Sequence, residues 1–584
     1  FLMLRRLGLA QLPALFGATV FELGGYFASQ TQHLGAVNAA AWIPLAWLAA
    51  VELGRSFSWR RTAMLAASLS MTLLAGFPAV TFVAAVSTVL VGVAVSSWKS
   101  IVPCCLAGAW SLLLSAVQVL PTAELSRLSV AKYRGDWLGT GGGIPLQSLV
   151  SLVSPNHYGI FDLKTYSHPW QVTFLYVYCG LAALAFAIAA LFVRRNRLAI
   201  VFGTLTGITG LWMLGDSTAV GRFVNQCLPG AARTFVYPEF AMAAFILSFA
   251  TLAALGADRF AAFRKPVAGA LLVAVVAIDL IATGSGRPIN TAVLADEPGV
   301  TDTSFDGNTD ILPRLRSLVR QTRPPARIDT IDDSMDWAMS APITRIPTAN
   351  GNDPFALIRL MQVRLSFTGG ERWGRYYQVR QPASPVLGLV NVRYLVTRAR
   401  IETPPDNLMS VAELPGRTIY LNRNALTRFF LVNDVQRAAS MNEALAMLRS
   451  REFKPRETAI VEGVADTLND SAAEPGSVRV VEYRPLRVLL DTESATRSFL
   501  VTSETNYPGW HAFVDGEERT IVQTNVAFRG LTVPAGKHRI EMRFQPRILY
   551  VGAVLSALGW LLLIVAVTFG DNRRMRAAWN GPTP

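Results

Sequence analysis

Cysteine is nearly absent, with four in 584 residues. Cys104, Cys105 and Cys179 fall in apolar stretches, and residues 284–547 contain none, so that region must fold by burial and not by disulfides. A region of this length is long enough to do so. The five histidines are scattered and no Cys/His pair has zinc spacing, so no metal site is expected. Neither a G-x-G-x-x-G nor a P-loop pattern occurs, which argues against a nucleotide-binding domain. Charged residues make up only 16%, against roughly 25% in ordinary soluble proteins.

What is abundant is apolar. Such residues reach 51% and mean hydropathy is +0.34. These values exclude a disordered chain, a coiled coil and an ordinary soluble enzyme. A bilayer core needs about 20 apolar residues per helix. Windows near that length without Lys or Arg occur at 10–28, 34–53, 78–96, 101–120, 172–193, 198–214, 236–256, 266–283 and 548–569. A shorter window, 62–76, ends at Gly76-Phe77-Pro78 and reads as a tenth span or as half of a re-entrant pair. The expected fold is therefore a polytopic α-helical membrane bundle of about ten spans, with residues 1–283 and 547–584 in the membrane part.

The connectors alternate in charge. Arg5, Arg6, Arg55, Arg60, Arg61, Lys99, Arg194, Arg195, Arg197, Arg259, Arg264, Lys265, Arg573, Arg574 and Arg576 share one side. Offset by Glu52, Asp258 and Asp571, they account for +12 of the net +14. The positive-inside rule places them in the cytoplasm. The basic pI is thus a topology signal, and no nucleic-acid partner is expected. The segments 121–171, 215–235 and 284–546 then face outward. The first residue is Phe1, so the sequence is expected to begin inside a longer protein.

Composition shifts after Thr283 towards Pro, Asp and Arg. An amphipathic helix is expected near Asp310–Gln321 and another at Met441–Arg449. Short β-branched or aromatic runs follow at Val392–Thr397, Thr418–Leu421, Phe429–Val432, Val478–Tyr483, Ser498–Thr502, Val526–Leu531 and His538–Phe544. Turn signals at Pro508-Gly509, Asp515-Gly516 and Pro534-Ala535-Gly536 separate several of them. The pattern predicts an exported α+β domain ending in a β-sandwich. Within it, Tyr507 and Trp510 are either sandwich anchors or a sugar-stacking platform, since aromatic faces serve both purposes.

The run Thr505–Trp510, then Val514-Asp515-Gly516, Phe528-Arg529-Gly530 and Val533–His538 before a closing apolar helix, resembles the C-terminal part of the bacterial YfhO-type membrane proteins. Looser matches are Gln118–Leu125, Ser154–Gly159, Arg233–Pro238, Asp279-Leu280 and Asn391–Tyr394. The family is similar to GT-C-type glycosyltransferases. The resemblance implies transfer of a sugar from a polyprenyl-phosphate carrier to a cell-envelope glycopolymer, outside the bacterial plasma (inner) membrane. It implies no cofactor; the lipid-linked sugar is the donor and membrane lipid is a partner. The usual GT-C catalytic carboxylate lies in the first outer loop, which is expected upstream of Phe1.

Such chemistry needs a carboxylate to deprotonate the acceptor and cations to hold the leaving phosphate. Glu22, Asp136 and Asp279 are the candidate catalytic acids. Glu22 lies in the first window, where a carboxylate should face the bundle or a cavity, paired or functional. Asp279 could bind substrate or cap its helix. Substrate contacts are expected from Gln118, Glu124, Arg127, Arg134, Asn156, His157, Arg233 and Tyr237. Pro121 should end or kink its helix and leave Glu124 at the water face. In loop 121–171, Arg127, Lys132 and Arg134 suit a phosphate, or equally lipid headgroups. The run Gly141-Gly142-Gly143 offers a backbone nest for an anion. Arg233, Tyr237 and Glu239 could wall the pocket or form an ion pair at a helix start. The rival class is non-enzymatic: an envelope-assembly scaffold or a polysaccharide or lipid transporter. No second, related half is visible, which disfavours the transporter.

Overall fold

The computed structural model describes residues 1–133, 142–162, 166–170, 172–192, 197–233, 235–285, 311–333, 335–338, 341–351, 353–369, 377–463, 468, 474 and 476–570. The chain divides into two compact units. The first holds residues 1–123, 134–294 and 548–584; the second holds 124–133 and 295–547.

The first unit is helical. Among the described residues, five helices are long and apolar enough to cross a membrane: Leu34–Arg55, Pro78–Ser96, Pro238–Ala257, Pro266–Ser285 and Arg547–Phe569. A sixth is possible if Trp98–Leu114 and Ala116–Leu128, bent by 78°, count as one span. The expected ten spans are not borne out, for local reasons. Window 10–28 is interrupted at Gly24, whose extended backbone separates Gln11–Leu23 from Gly25–Ser29. In window 172–193 the α-helix begins only at Leu181, after Gly180 at φ +90°. The helices Leu181–Leu191 and Arg197–Met213 are apolar but short.

Small residues let these helices approach closely. Pro238–Ala257 is buried on every side, as an all-round apolar helix must be. A Cβ added at Gly256 would lie 2.0 Å from the Phe186 carbonyl oxygen, and one at Gly17 would lie 2.7 Å from the Ala254 Cβ. Arg547–Phe569 docks through Gly552, Ser556 and Gly559. There the Trp110 Nε1 donates to the Gly559 carbonyl at 3.1 Å, and the Val117 N–H to the Ser556 Oγ at 2.9 Å. This is small-residue packing with polar reinforcement, as lipid-embedded helices use. Its outer face exposes Val551, Val554, Leu558, Leu561 and Leu562.

Pro121 does not end its helix. Ala116–Leu128 runs through it, and the sharp bend lies at Ser115. Pro121 lies past the first turn and gives up one i→i−4 bond without ending the helix.

The second unit carries three sheets. The first has the order Arg327–Ile331, Val392–Thr397, Arg417–Asn422, Leu408–Leu414, with the first pair parallel. The six-stranded sheet runs Phe429–Val432, Ser498–Thr505, Phe528–Val533, Val522–Thr524, Thr458–Glu462, Asp434–Ala438. The helix Met441–Leu448 connects its parallel outer pair. The five-stranded sheet runs Glu517–Arg519, Trp510–Val514, Gly536–Phe544, Arg487–Ser494, Ser477–Arg484.

Period-two patterning explains how the last two sheets meet. In Gly536–Phe544, Ile540 and Met542 point inward while Arg539 and Arg543 point out. The inward set packs with Val488, Leu490, Ala512 and Val514 against Phe429, Leu431, Leu500, Leu531 and Val533 of the six-stranded sheet. The fold is thus a helical part with several apolar helices and a β-rich part that includes a sandwich.

Glu504, at the end of Ser498–Thr505, is the polar centre of this unit. Arg327 Nη2 donates to its Oε1 at 3.0 Å, Arg428 Nη1 at 3.2 Å, and Arg529 Nη2 lies 4.0 Å from Oε2. All four side chains are nearly buried. Burial pushes the carboxyl up, yet the guanidiniums of Arg327, Arg428 and Arg529 hold it below the usual carboxylate range. Burial in turn lowers Arg529 to about 10. Removing one partner of such a cluster is costly because the rest stay buried. Glu504→Gln is therefore expected to destabilise the second unit by about 3–5 kcal/mol, read as a shift in the denaturant midpoint of the purified chain. The wild-type contribution should be present above the ordinary glutamate range and be lost as pH falls through the depressed value.

Candidate functional site

A cavity of about 860 Å³ opens in the second unit. One wall is the turn Asn506-Tyr507-Pro508-Gly509 between the strands Ser498–Thr505 and Trp510–Val514. Gly509 is required there: its φ is +104°, and a Cβ would meet the Pro546 Cα at 2.7 Å. The Gln545 N–H donates to the Gly509 carbonyl at 2.6 Å. The turn is thereby pinned two residues before the apolar helix Arg547–Phe569 begins.

A second wall is polar and connected. Asn506 Nδ2 donates to Gln523 Oε1 at 3.1 Å, and Gln523 Nε2 donates to the Val526 carbonyl at 2.9 Å. Arg359 Nη1 donates to the same carbonyl at 3.0 Å, and Arg359 pairs with both oxygens of Glu462 at 2.7 and 3.0 Å. Val526 has φ +71°. This is strained for a β-branched residue, and the strain aims its carbonyl at two cavity side chains. Strain of this kind concentrates at functional sites. It also corrects the expected strand start, which is Phe528 and not Val526.

The third wall comes from 124–133. Arg127, Leu128 and Lys132 line the cavity. The other charged groups here are paired: His511 with Glu518 at 2.7 Å, Arg519 with Glu517 at 2.9 Å, and Arg359 with Glu462. Among the described residues, Arg127 and Lys132 carry no ion pair. Lys132 sits 5.0 Å from the Tyr133 ring centroid.

Both sequence-predicted aromatics line the cavity. Trp510 is stacked on one face by the Arg529 guanidinium, 3.7 Å from its centroid, and lies 5.3 Å from Phe544. The stack fixes the ring plane. Burial, together with the Glu124 carboxylate nearby, pushes the Tyr507 phenol up to about 12. Glu124 is half-buried.

The other sequence-predicted residues fall elsewhere. Arg134 and Asp136 lie outside the described residues, as do Gly139 and Gly141. Glu22, Gln118, Asn156, His157, Arg233, Tyr237 and Asp279 belong to the first unit. Glu22 faces a separate cavity of about 430 Å³ with Phe21, Phe27 and Pro44. Asp279 Oδ2 accepts from the Tyr178 hydroxyl at 2.8 Å. Asn156 Oδ1 accepts from the Phe161 N–H at 2.9 Å, closing a turn. The His157 ring meets Tyr158 edge-on at 4.7 Å. Arg233 donates to the carbonyls of Leu228 and Gln226 at 3.0 and 2.9 Å. Tyr237 contacts Phe240 at 6.2 Å. Gln118 Nε2 approaches Gly76. Of the expected glycine nest, the Gly143 N–H donates to Glu239 Oε2 at 3.2 Å. No group of three or more His, Cys, Asp or Glu residues that could hold a metal occurs among the described residues.

Residues 456–556 match the model of the family "Bacterial membrane protein YfhO". That stretch contains Tyr507, Trp510, Gln523 and Arg529, so the YfhO resemblance rests on the cavity-forming part of the chain. No curated protein matches the sequence. Among solved structures, the arabinofuranosyltransferase AftD from Mycobacteria is similar at 11% identity, covering 92% of this chain and 49% of that chain, with a TM-score of 0.41. A mutant form of the same protein gives 12% identity, 92% and 51% coverage, and a TM-score of 0.38. The chain spans about half the length of these AftD chains.

A hydrogen bond to a charged group contributes about 1.5–3 kcal/mol. Solvent weakens this at the partly exposed Tyr507, so Tyr507→Phe should lower stability by no more than about 1 kcal/mol in chemical denaturation. The same substitution in a Glu124→Gln background should cost clearly less, because the charged acceptor is already gone.

Proposed function

We propose that the chain is a membrane glycosyltransferase-like protein of GT-C type, and that the cavity of the second unit holds glycan during transfer. The donor is a sugar on polyprenyl phosphate and the acceptor is a cell-envelope glycopolymer on the outer face of the bacterial plasma membrane. One observation carries the reading. The YfhO-matched turn, two cations without an ion pair among the described residues, and a connected amide and guanidinium wall enclose one cavity of about 860 Å³. Its lining mixes polar and apolar groups about evenly, and clefts of this volume hold small ligands. Ring faces suit Tyr507 and Trp510, hydroxyls suit Asn506 and Gln523, and an anionic phosphate suits Arg127 and Lys132.

In this reaction a carboxylate takes the proton of the acceptor hydroxyl. The acceptor oxygen bonds to the anomeric carbon, and polyprenyl phosphate leaves with the bonding pair, held by cations. Glu22, Asp136 and Asp279 remain the proposed bases, and Arg134 a further phosphate partner. The bond from Tyr178 to Asp279 supports a positioned carboxylate at that residue. The basic connectors support a cytoplasmic placement of their own side and an exported second unit.

The test is sugar transfer in proteoliposomes with a synthetic polyprenyl-phosphate sugar and envelope glycopolymer. Arg127→Gln with Lys132→Gln should lower kcat/KM roughly tenfold or more, chiefly through KM. Unchanged kinetics in that variant would remove the phosphate assignment. Glycan binding by the wild type without any transfer would favour the envelope-assembly scaffold.

A further inference from the structure

A second cavity, of about 620 Å³, lies in the helical unit and takes no part in the proposed reaction. Three helices converge on it by their ends, two of them long and apolar enough to cross a membrane. Leu34–Arg55 finishes there, Trp59–Leu74 begins there, and the last turns of Arg547–Phe569 contribute Leu563 and Val567. Charged residues sit at the helix ends: Arg6, Glu52, Arg60 and Arg61. Leu48, Met64, Ala67 and Leu563 line it one or more turns further along. The cavity is therefore basic at the level of the helix ends and apolar towards the middle of the spans.

The ion pairs leave a surplus of positive charge. Glu52 is shared between Arg61 at 3.2 Å and Arg55 at 3.5 Å. Arg61 is further committed to the Ser56 carbonyl at 3.0 Å. Arg6 and Arg60 have no ion pair among the described residues. One carboxylate thus faces four guanidiniums, counting Arg55. A zwitterionic headgroup brings its own cation into this rim, whereas an anionic one neutralises the excess. Basic pockets between membrane helices favour acidic lipids for this reason.

We propose that this cavity is a binding site for an anionic phospholipid. Its phosphate lies between Arg6 and Arg60, and an acyl chain runs along Leu48, Met64 and Leu563. The site stands independently of the sugar-transfer reading, since none of its residues is assigned to that reaction.

The test is native mass spectrometry of the full chain released from mixed micelles. These contain equal amounts of palmitoyl-oleoyl phosphatidylglycerol and phosphatidylcholine. The wild type should retain phosphatidylglycerol in preference. Arg6→Gln with Arg60→Gln should cut that retention roughly tenfold, while Arg259→Gln with Lys265→Gln, basic but outside the cavity, should not. Both exposed arginines can be replaced without burying a new polar group. Leu563→Trp gives a second reading by filling the acyl end and should also lower retention. Equal retention of the two lipids by the wild type would overturn the site. So would full phosphatidylglycerol retention in the double variant, or displacement of the lipid by millimolar inorganic phosphate.

Discussion

The second unit depends on one carboxylate surrounded by three guanidiniums. Glu504 lies next to the end of Ser498–Thr505, the second strand of the six-stranded sheet, and each arginine that reaches it comes from a different part of the unit. Arg327 begins the first sheet, and also donates to the Val390 and Ser503 carbonyls at 3.1 Å. Arg428 ties in the Tyr483 hydroxyl at 2.9 Å and the Pro325 carbonyl at 2.7 Å. Arg529 rises from the neighbouring strand and stacks on Trp510. A buried charge cluster of this kind stabilises little compared with apolar packing. What it supplies is geometry: it joins two sheets and sets the plane of the aromatic ring at the cavity.

Much of the β-rich unit was legible in the sequence where burial imposes a pattern. Val392–Thr397 and Phe429–Val432 are apolar runs and form strands with the expected bounds. Glu517–Arg519 was not legible, because all three residues are exposed and carry no apolar signal. Arg327–Ile331 was also missed, since its buried Asp329 looks like a loop residue until Arg364 is seen to pair with it at 2.9 Å. Apolar windows mark membrane-compatible segments but not their length as helix, so the count of ten exceeded the five or six observed. For the site, Tyr507 and Trp510 stood out as a local motif. Arg359 did not, because its partners Glu462 and Val526 lie 103 and 167 residues away in sequence. No local pattern announces a valine forced to positive φ.

The central claim is that glycan enters the cavity bounded by 505–511 and 127–132. Hydrogen–deuterium exchange on the whole chain, with and without a polyprenyl-phosphate sugar, tests it most directly. The account predicts slower exchange in the peptides covering Thr505–His511, Val522–Val526 and Arg127–Lys132 when the ligand is present. Unchanged exchange in all three at saturating ligand, with protection confined to other segments, would contradict it.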